Sequence, residues 1–163
     1  MDYDKLNINE DKRIDEQISA KEQFKIYLTA AEQDDCEAQY QLACCYSKGN
    51  GVESSSEKAF DWFLKAAQQG HAKAQYEVAL FYEPGCGAEE SEEKVFTWYL
   101  KAAEQGHTGA QYEVAKCYEV GCGVEKNLNK AVEWYSKSAE GGCVFAKEWL
   151  SNYLNKVMDI KKI

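Results

Sequence analysis

Two histidines, seven cysteines and a run of glutamates carry the side chains best suited to chemistry in this 163-residue chain. His71 and His107, taken with Cys86 and Cys122, have the donor types of a zinc site. Each histidine, however, starts a segment of helical pattern, and a Gly-Cys-Gly follows that segment's far end. A helix of about 12 residues separates its ends by roughly 18 Å, whereas zinc ligands converge at about 2.0–2.3 Å from the metal. The same separation keeps Cys and His from forming a nucleophilic pair. "GCGVEK" lacks the third glycine of a dinucleotide loop and follows a helix, not a strand. Cys44 and Cys45 are adjacent, so on a helix they point about 100° apart. The glutamates from Glu89 to Glu93 surround a helix start, where negative charge favours the positive end of the helix dipole. No catalytic, cofactor-binding or metal-ligating residue is expected.

The elements that hold these residues repeat. "KAAQQGHAKAQYEVA" from Lys65 returns 36 residues later as "KAAEQGHTGAQYEVA" from Lys101. The echo covers most of the chain: Ala38, Ala74, Ala110 and Ala146 align, as do Tyr46, Tyr82 and Tyr118, and Trp62, Trp98 and Trp134. A period in this range signals stacked supersecondary units. Each reads as two helices. Ala38, Leu42 and Tyr46 make the inward stripe of the first, and a Gly-x-Gly pair ends it. Ser55, Ser91 and Asn127 are good N-caps for the second, whose apolar face is Ala59, Phe60, Phe63, Ala66 and Ala67. The tryptophans' spacing makes them repeat-packing residues before it makes them a ligand cage. "EQFKIYLTAAEQDD" reads as a second helix without its partner, with Asp34 where other repeats have Gly. "FAKEWLSNYLNKVM" reads as a longer first helix acting as a C-terminal cap, with Trp149, Leu150, Tyr153, Leu154 and Val157 on one face.

Composition bounds the partners. Hydrophobic residues are 45% and the net charge is −9 with pI about 4.8. Nucleic acid is not expected, since binding there rests on Lys and Arg neutralising phosphates. A basic protein surface or peptide suits the charge. No apolar run of about 18 residues marks a membrane span. The chain starts without the apolar region of a secretory signal, so the expected location is cytoplasmic, with export by a specialised system as the alternative. The expected organisation is a polar, loose N-terminus over 1–14, a repeat domain over 15–158 with its capping helix, and a short basic tail over 159–163. A monomer is expected.

"AQYEVAKCYEVGCGVEKNLNKAVEWYSKSAEGG" carries the pattern of Ala-Gln-Tyr, then Tyr, Gly-x-Gly-Val, Lys-Ala, Trp-Tyr and a closing Gly. The chain thereby resembles the Sel-one-like repeat (SLR) family, a relative of the tetratricopeptide arrays, over about residues 20–158. The resemblance implies an all-α, right-handed α/α superhelical solenoid that carries protein partners. One secreted branch of the family has a regular disulfide in each repeat. Here only Cys86/Cys122 and Cys45/Cys117 are repeat-equivalent. Neighbouring repeats stack roughly 10 Å apart and a disulfide needs Cα atoms within about 7 Å, so Cys86–Cys122 is not expected to form.

Function is expected where repetition leaves residues free. Opposite the inward stripe lie Glu37, Gln41 and Cys44, then Lys73, Glu77 and Leu80, then Gly109, Glu113 and Lys116. These differ between repeats although their neighbours do not, and in the family this side lines the concave groove. The expected function is a non-enzymatic protein-interaction module of the bacterial adaptor, effector or toxin-neutralising type, binding a protein or peptide in that groove. The rivals are a hydrolase-like enzyme as in the cysteine-rich branch, disfavoured by the irregular cysteines, and a fragment of a eukaryotic degradation adaptor. Protein purified without oxidant and denatured under non-reducing conditions should titrate as seven thiols; a mass showing two or more disulfides would overturn the cytoplasmic assignment.

Overall fold

A computed structural model describes residues 20–84 and 91–160. The expected loose N-terminus over 1–14, Cys86 with its flanking glycines, Glu89, Glu90 and residues 161–163 of the tail lie outside the described residues. Every described element is a helix. The helix α1, described over 20–32, precedes α2 (Cys36–Lys48), α3 (Ser56–Gln68), α4 (Ala72–Tyr82), α5 (Glu92–Glu104), α6 (Thr108–Val120), α7 (Leu128–Glu140) and α8 (Val144–Ile160). Two compact units divide the chain, Met1–Gln69 and Gly70–Ile163. No helix among the described residues is long and apolar enough to cross a membrane.

The expected caps start the second helices. The side chains of Ser55, Ser91 and Asn127 accept from the N–H groups of Lys58, Lys94 and Lys130. Each of those lysines also lies over a tyrosine ring of the preceding helix, Tyr46, Tyr82 or Tyr118, at 5.0–5.4 Å. The first helices have a cap that sequence reasoning missed. His71 and His107 each accept an N–H through Nδ1, from Ala74 and Ala110 at 3.1 Å, which is the task Asp35 performs for α2 at 2.7 Å. Asp34 adopts φ 63° at the position of the closing glycine, a conformation that Asp tolerates better than most side chains.

Two expectations need correction. Helix α4 stops at Tyr82, two residues short of its repeat equivalents α2 and α6. The cause is Pro84, which drives the preceding Glu83 out of the helical region to ψ 150°,. On α8, Trp149, Leu150, Tyr153 and Val157 are partly buried, but Leu154 is 56% exposed and leaves the packed face. Trp149 stacks on Tyr135 at 4.0 Å and on Tyr153 at 5.2 Å, and donates its indole N–H to Glu119.

In the first unit α2 packs on α3, Phe24 meets Tyr46 edge to face, and Leu42, Ala43, Ala59 and Ala66 are fully buried. In the second unit α4 to α8 pack in sequence, each on the next. Their shared core holds Val114, Ala110, Ala115, Ala131, Ala146, Tyr99 and Tyr135. The alanines let helix backbones approach, and the tyrosine rings fill the space beside them. Buried amides tie each first helix to its neighbours. Gln39 Nε2 donates to the Ala31 carbonyl and Gln111 Nε2 to the Ala103 carbonyl, while Gln69 and Gln105 donate to the Oε1 atoms of Gln39 and Gln75. No buried side-chain N or O atom among the described residues lacks a partner.

The His107 cap makes stability depend on pH. Burial, and then Lys73, lower its pKa below the ordinary value of 6.5, and its ring stacks on Tyr76 at 4.6 Å. Protonated, Nδ1 has no lone pair to accept with. The depressed folded value gives the sign: this contribution is complete above about pH 6.5 and is lost as pH falls through the lower folded pKa. A cap of this kind contributes about 1 kcal/mol. His107→Asn keeps an acceptor that does not titrate. Urea unfolding at pH 7, 6 and 5 should show a smaller loss for the variant than for the parent. Equal losses would mean the Nδ1 lone pair carries no cap.

Candidate functional site

Of the residues singled out above, Glu37, Gln41 and Cys44 lie along one side of α2, and Gln41 donates to Glu37 at 2.7 Å. In the second unit, Lys73, Glu77 and Leu80 occupy that side of α4. Lys73 is exposed, and Glu77 and Leu80 are partly exposed. On α6, Gly109 sits against Tyr76 and His107, and Glu113 pairs with Lys116 at 2.6 Å. All of these positions remain accessible while Ala74, Val78, Ala110 and Val114 beside them are fully buried, so the division into inward and outward faces holds on each helix. The structure brings Glu113 and Lys116 into one cavity. Gly109 lies against Tyr76 and His107, and the others line the accessible sides of their helices.

That cavity, of about 440 Å³, lies where the end of α4, the start of α5 and the end of α6 meet. Its lining includes Glu83, Glu92 and Glu113, the ring of Tyr99, and the thiols of Cys117 and Cys122. Sequence spacing gave no hint of it. Glu83 accepts from the Tyr99 hydroxyl at 2.7 Å. The same bond recurs one repeat later, from Tyr135 to Glu119 at 2.7 Å, so a 16-residue spacing of Glu and Tyr was the available signal. Burial, then the bond to Glu83 and its charge, drive the Tyr99 hydroxyl far above its ordinary pKa.

The two thiols meet for a local reason. Helix α6 ends at Gly121 with φ 89°, and the chain turns back so that the Cys122 N–H donates to the Cys117 carbonyl at 3.1 Å. Side chains at these two positions of a helix C-terminus commonly touch, and here the thiols are hydrogen-bonded. Burial foremost, with Cys122 and Glu113 adding to it, pushes Cys117 up to about 12. Burial and then Glu92 raise Cys122; burial and then Cys44 raise Cys45. A thiol held above its ordinary pKa presents little thiolate at neutral pH and is a poor nucleophile. The tryptophans play the packing role. Trp62, Trp98 and Trp134 are partly buried, and Lys65, Lys101 and Lys137 each set an ammonium 3.9–4.3 Å from the ring centroid.

Comparison with known proteins follows the same repeat boundaries. The Sel1 repeat model matches residues 36–71, 72–107 and 108–143. A Sel1 repeat protein from Oxalobacter formigenes is similar with TM-score 0.75 and 35% identity, over 78% of this chain and 96% of that one. A protective antigen of uropathogenic Escherichia coli, which displays an SLR fold, gives TM-score 0.74 and 34% identity over 86% of this chain and 30% of the antigen. The chain thus spans under a third of the antigen's length. A cysteine-rich protein of Helicobacter pylori shares the fold at 21% identity and TM-score 0.63, over 81% of this chain and 95% of that one. No match was found among curated proteins. With three matched repeats running from 36 to 143, the chain belongs to the Sel1 repeat family, all-α repeat solenoids that generally act as protein-interaction modules.

Proposed function

We propose that this chain is a non-catalytic binding module that docks a protein or peptide on the outward faces of its first helices, with Glu37, Gln41, Cys44, Lys73, Glu77, Leu80, Glu113 and Lys116 as the contact set. The observation that carries this reading is the cavity beside α6. Its lining includes Glu113 and Lys116, of which Lys116 differs from both its repeat equivalents, Cys44 and Leu80, while the adjoining Ala110, Val114 and Ala115 keep the repeated core. The raised thiols of Cys117 and Cys122 speak against either of them as a nucleophile, which needs a thiolate,. The bacterial relatives support the adaptor or effector type over a eukaryotic degradation adaptor. The irregular cysteine set supports a cytoplasmic place of action, and a monomer is part of the same reading.

The test combines Lys73→Glu, Glu77→Lys and Glu113→Lys, all within the second unit. Reversal at these accessible sites should leave folding nearly intact, because surface changes usually cost within about 0.5 kcal/mol each and the exposed Glu113–Lys116 pair contributes at most about 1 kcal/mol. Wrong-sign contacts across an interface can cost several kcal/mol. Calorimetry against the natural partner, at two salt concentrations, should therefore show binding lost with the melting temperature kept. Unchanged affinity would remove these faces as the site. Lost affinity with a collapsed melting temperature would show that the faces are structural.

A further inference from the structure

The cavity between α4, α5 and α6 has a composition that selects its occupant. Its apolar lining is the buried Val95 and Tyr99 with the exposed Pro84 and Val120. Its wall is acidic: Glu83, Glu92 and Glu113. Among the described residues the one ammonium in the lining, on Lys116, already pairs with Glu113, so three described carboxylates face one cation. Glu83 is fixed by the Tyr99 hydroxyl, a bond that orients the carboxylate without neutralising it. Beyond the effect of burial, Glu83 and Glu113 raise Tyr99, Glu113 raises Cys117, and Glu92 and Glu83 raise Cys122. The repeats do not share this wall: Glu113 recurs as Glu77, but Glu92 aligns with Ser56 and Leu128, and Lys116 with Cys44 and Leu80.

We infer that this cavity receives a lysine or arginine side chain presented by the partner peptide. The inference rests on the binding-module reading and names the anchor that such a partner must carry. A long cationic side chain matches both halves of the cavity, since its methylene stem covers apolar surface while its head stays with the charges. An acidic side chain meets like charge. A neutral aliphatic one leaves the carboxylates unanswered. The volume of about 440 Å³ lies within the range of clefts that hold ligands,. A peptide anchor is favoured over a free small cation because Glu113 and Lys116, which line the cavity, belong to the helix face assigned to the partner.

The inference is tested with defined probes. The 15N-labelled chain is titrated with the acetylated, amidated peptide Ala-Leu-Arg-Leu-Ala, with its citrulline counterpart, and with n-butylguanidinium alone. Citrulline has the shape of arginine without its charge. The arginine peptide should shift the amide signals of Glu92, Val95 and Val120, and bind about tenfold or more tightly than the citrulline peptide at low salt. Glu92→Gln combined with Glu113→Gln should abolish that preference. Equal binding of the two peptides, or shifts confined to other helices, would overturn the inference, as would n-butylguanidinium binding as tightly as the peptide. The citrulline comparison decides the matter even if the double variant fails to fold. None of these failures touches the charge-reversal test against the natural partner, so the binding-module reading stands or falls separately.

Discussion

The Gly-x-Gly loops after α2 and α6 are each seated backbone against backbone on the helix before, α1 and α5. At Gly123, φ is 65°, and a Cβ built there would fall inside the contact radius of the Glu92 carbonyl oxygen at the start of α5. At Gly51, φ is 73°, and a Cβ would meet the Ala20 carbonyl oxygen of α1 in the same way. Only a residue without a side chain admits this approach and this left-handed conformation together. The seating sets how a first helix ends relative to the second helix of the previous repeat. It also places Cys122 beside Glu92, and so forms one wall of the cavity. The loop is closed by the N–H of the next N-cap, with Asn127 donating to the Tyr118 carbonyl at 2.8 Å and Ser55 to the Tyr46 carbonyl at 2.9 Å.

With the loop fixed, the interior follows. Ala43, Ala59, Ala66, Ala74, Ala79, Ala102, Ala110, Ala115 and Ala131 are fully buried, so neighbouring backbones lie close and any larger side chain there would have to displace a helix. Buried glutamine amides then answer the carbonyls at the helix ends, which an apolar core alone could not. The third repeat does this differently. Gly141 stands where Gln69 and Gln105 stand in the earlier repeats, and the fully buried Ser138 donates instead to the Thr108 carbonyl at 3.0 Å. Repetition thus consumes the inward positions and leaves the outward ones unconstrained. A repeated scaffold can in this way carry residues chosen for a partner.

Much of this frame was legible. The period located the helices, and the polar residues at 55, 91 and 127 marked where the second ones start, because capping depends on local chemistry alone. The histidine caps were not legible, since a histidine before a helix has several roles and only the Nδ1 geometry selects among them. The shortening of α4 follows from Pro84 and was available to a closer reading of that residue. Leu154 was placed on the packed face of α8 by periodicity, but no described helix follows to cover it. The Cys117–Cys122 contact escaped because residues were compared one repeat apart, whereas the helix-terminal turn joins positions five apart. The cavity escaped for a related reason: Glu83 follows α4, Glu92 starts α5 and Glu113 lies on α6, and no spacing in the chain announces their convergence.

The seating of the loop is tested most directly by comparing Gly123→Ala with Gly106→Ala. Both glycines have positive φ, 65° and 87°, but the Cβ at Gly106 would meet nothing within 4 Å. Gly106→Ala should therefore cost only the left-handed strain, about 1–2 kcal/mol. Gly123→Ala should cost at least about 1 kcal/mol more in equilibrium unfolding, because a backbone carbonyl must move. It should also shift the amide signals of Glu92 and Cys122. Equal costs for the two substitutions, with those signals unmoved, would mean that the loop does not bear on the preceding helix and that the frame is set elsewhere.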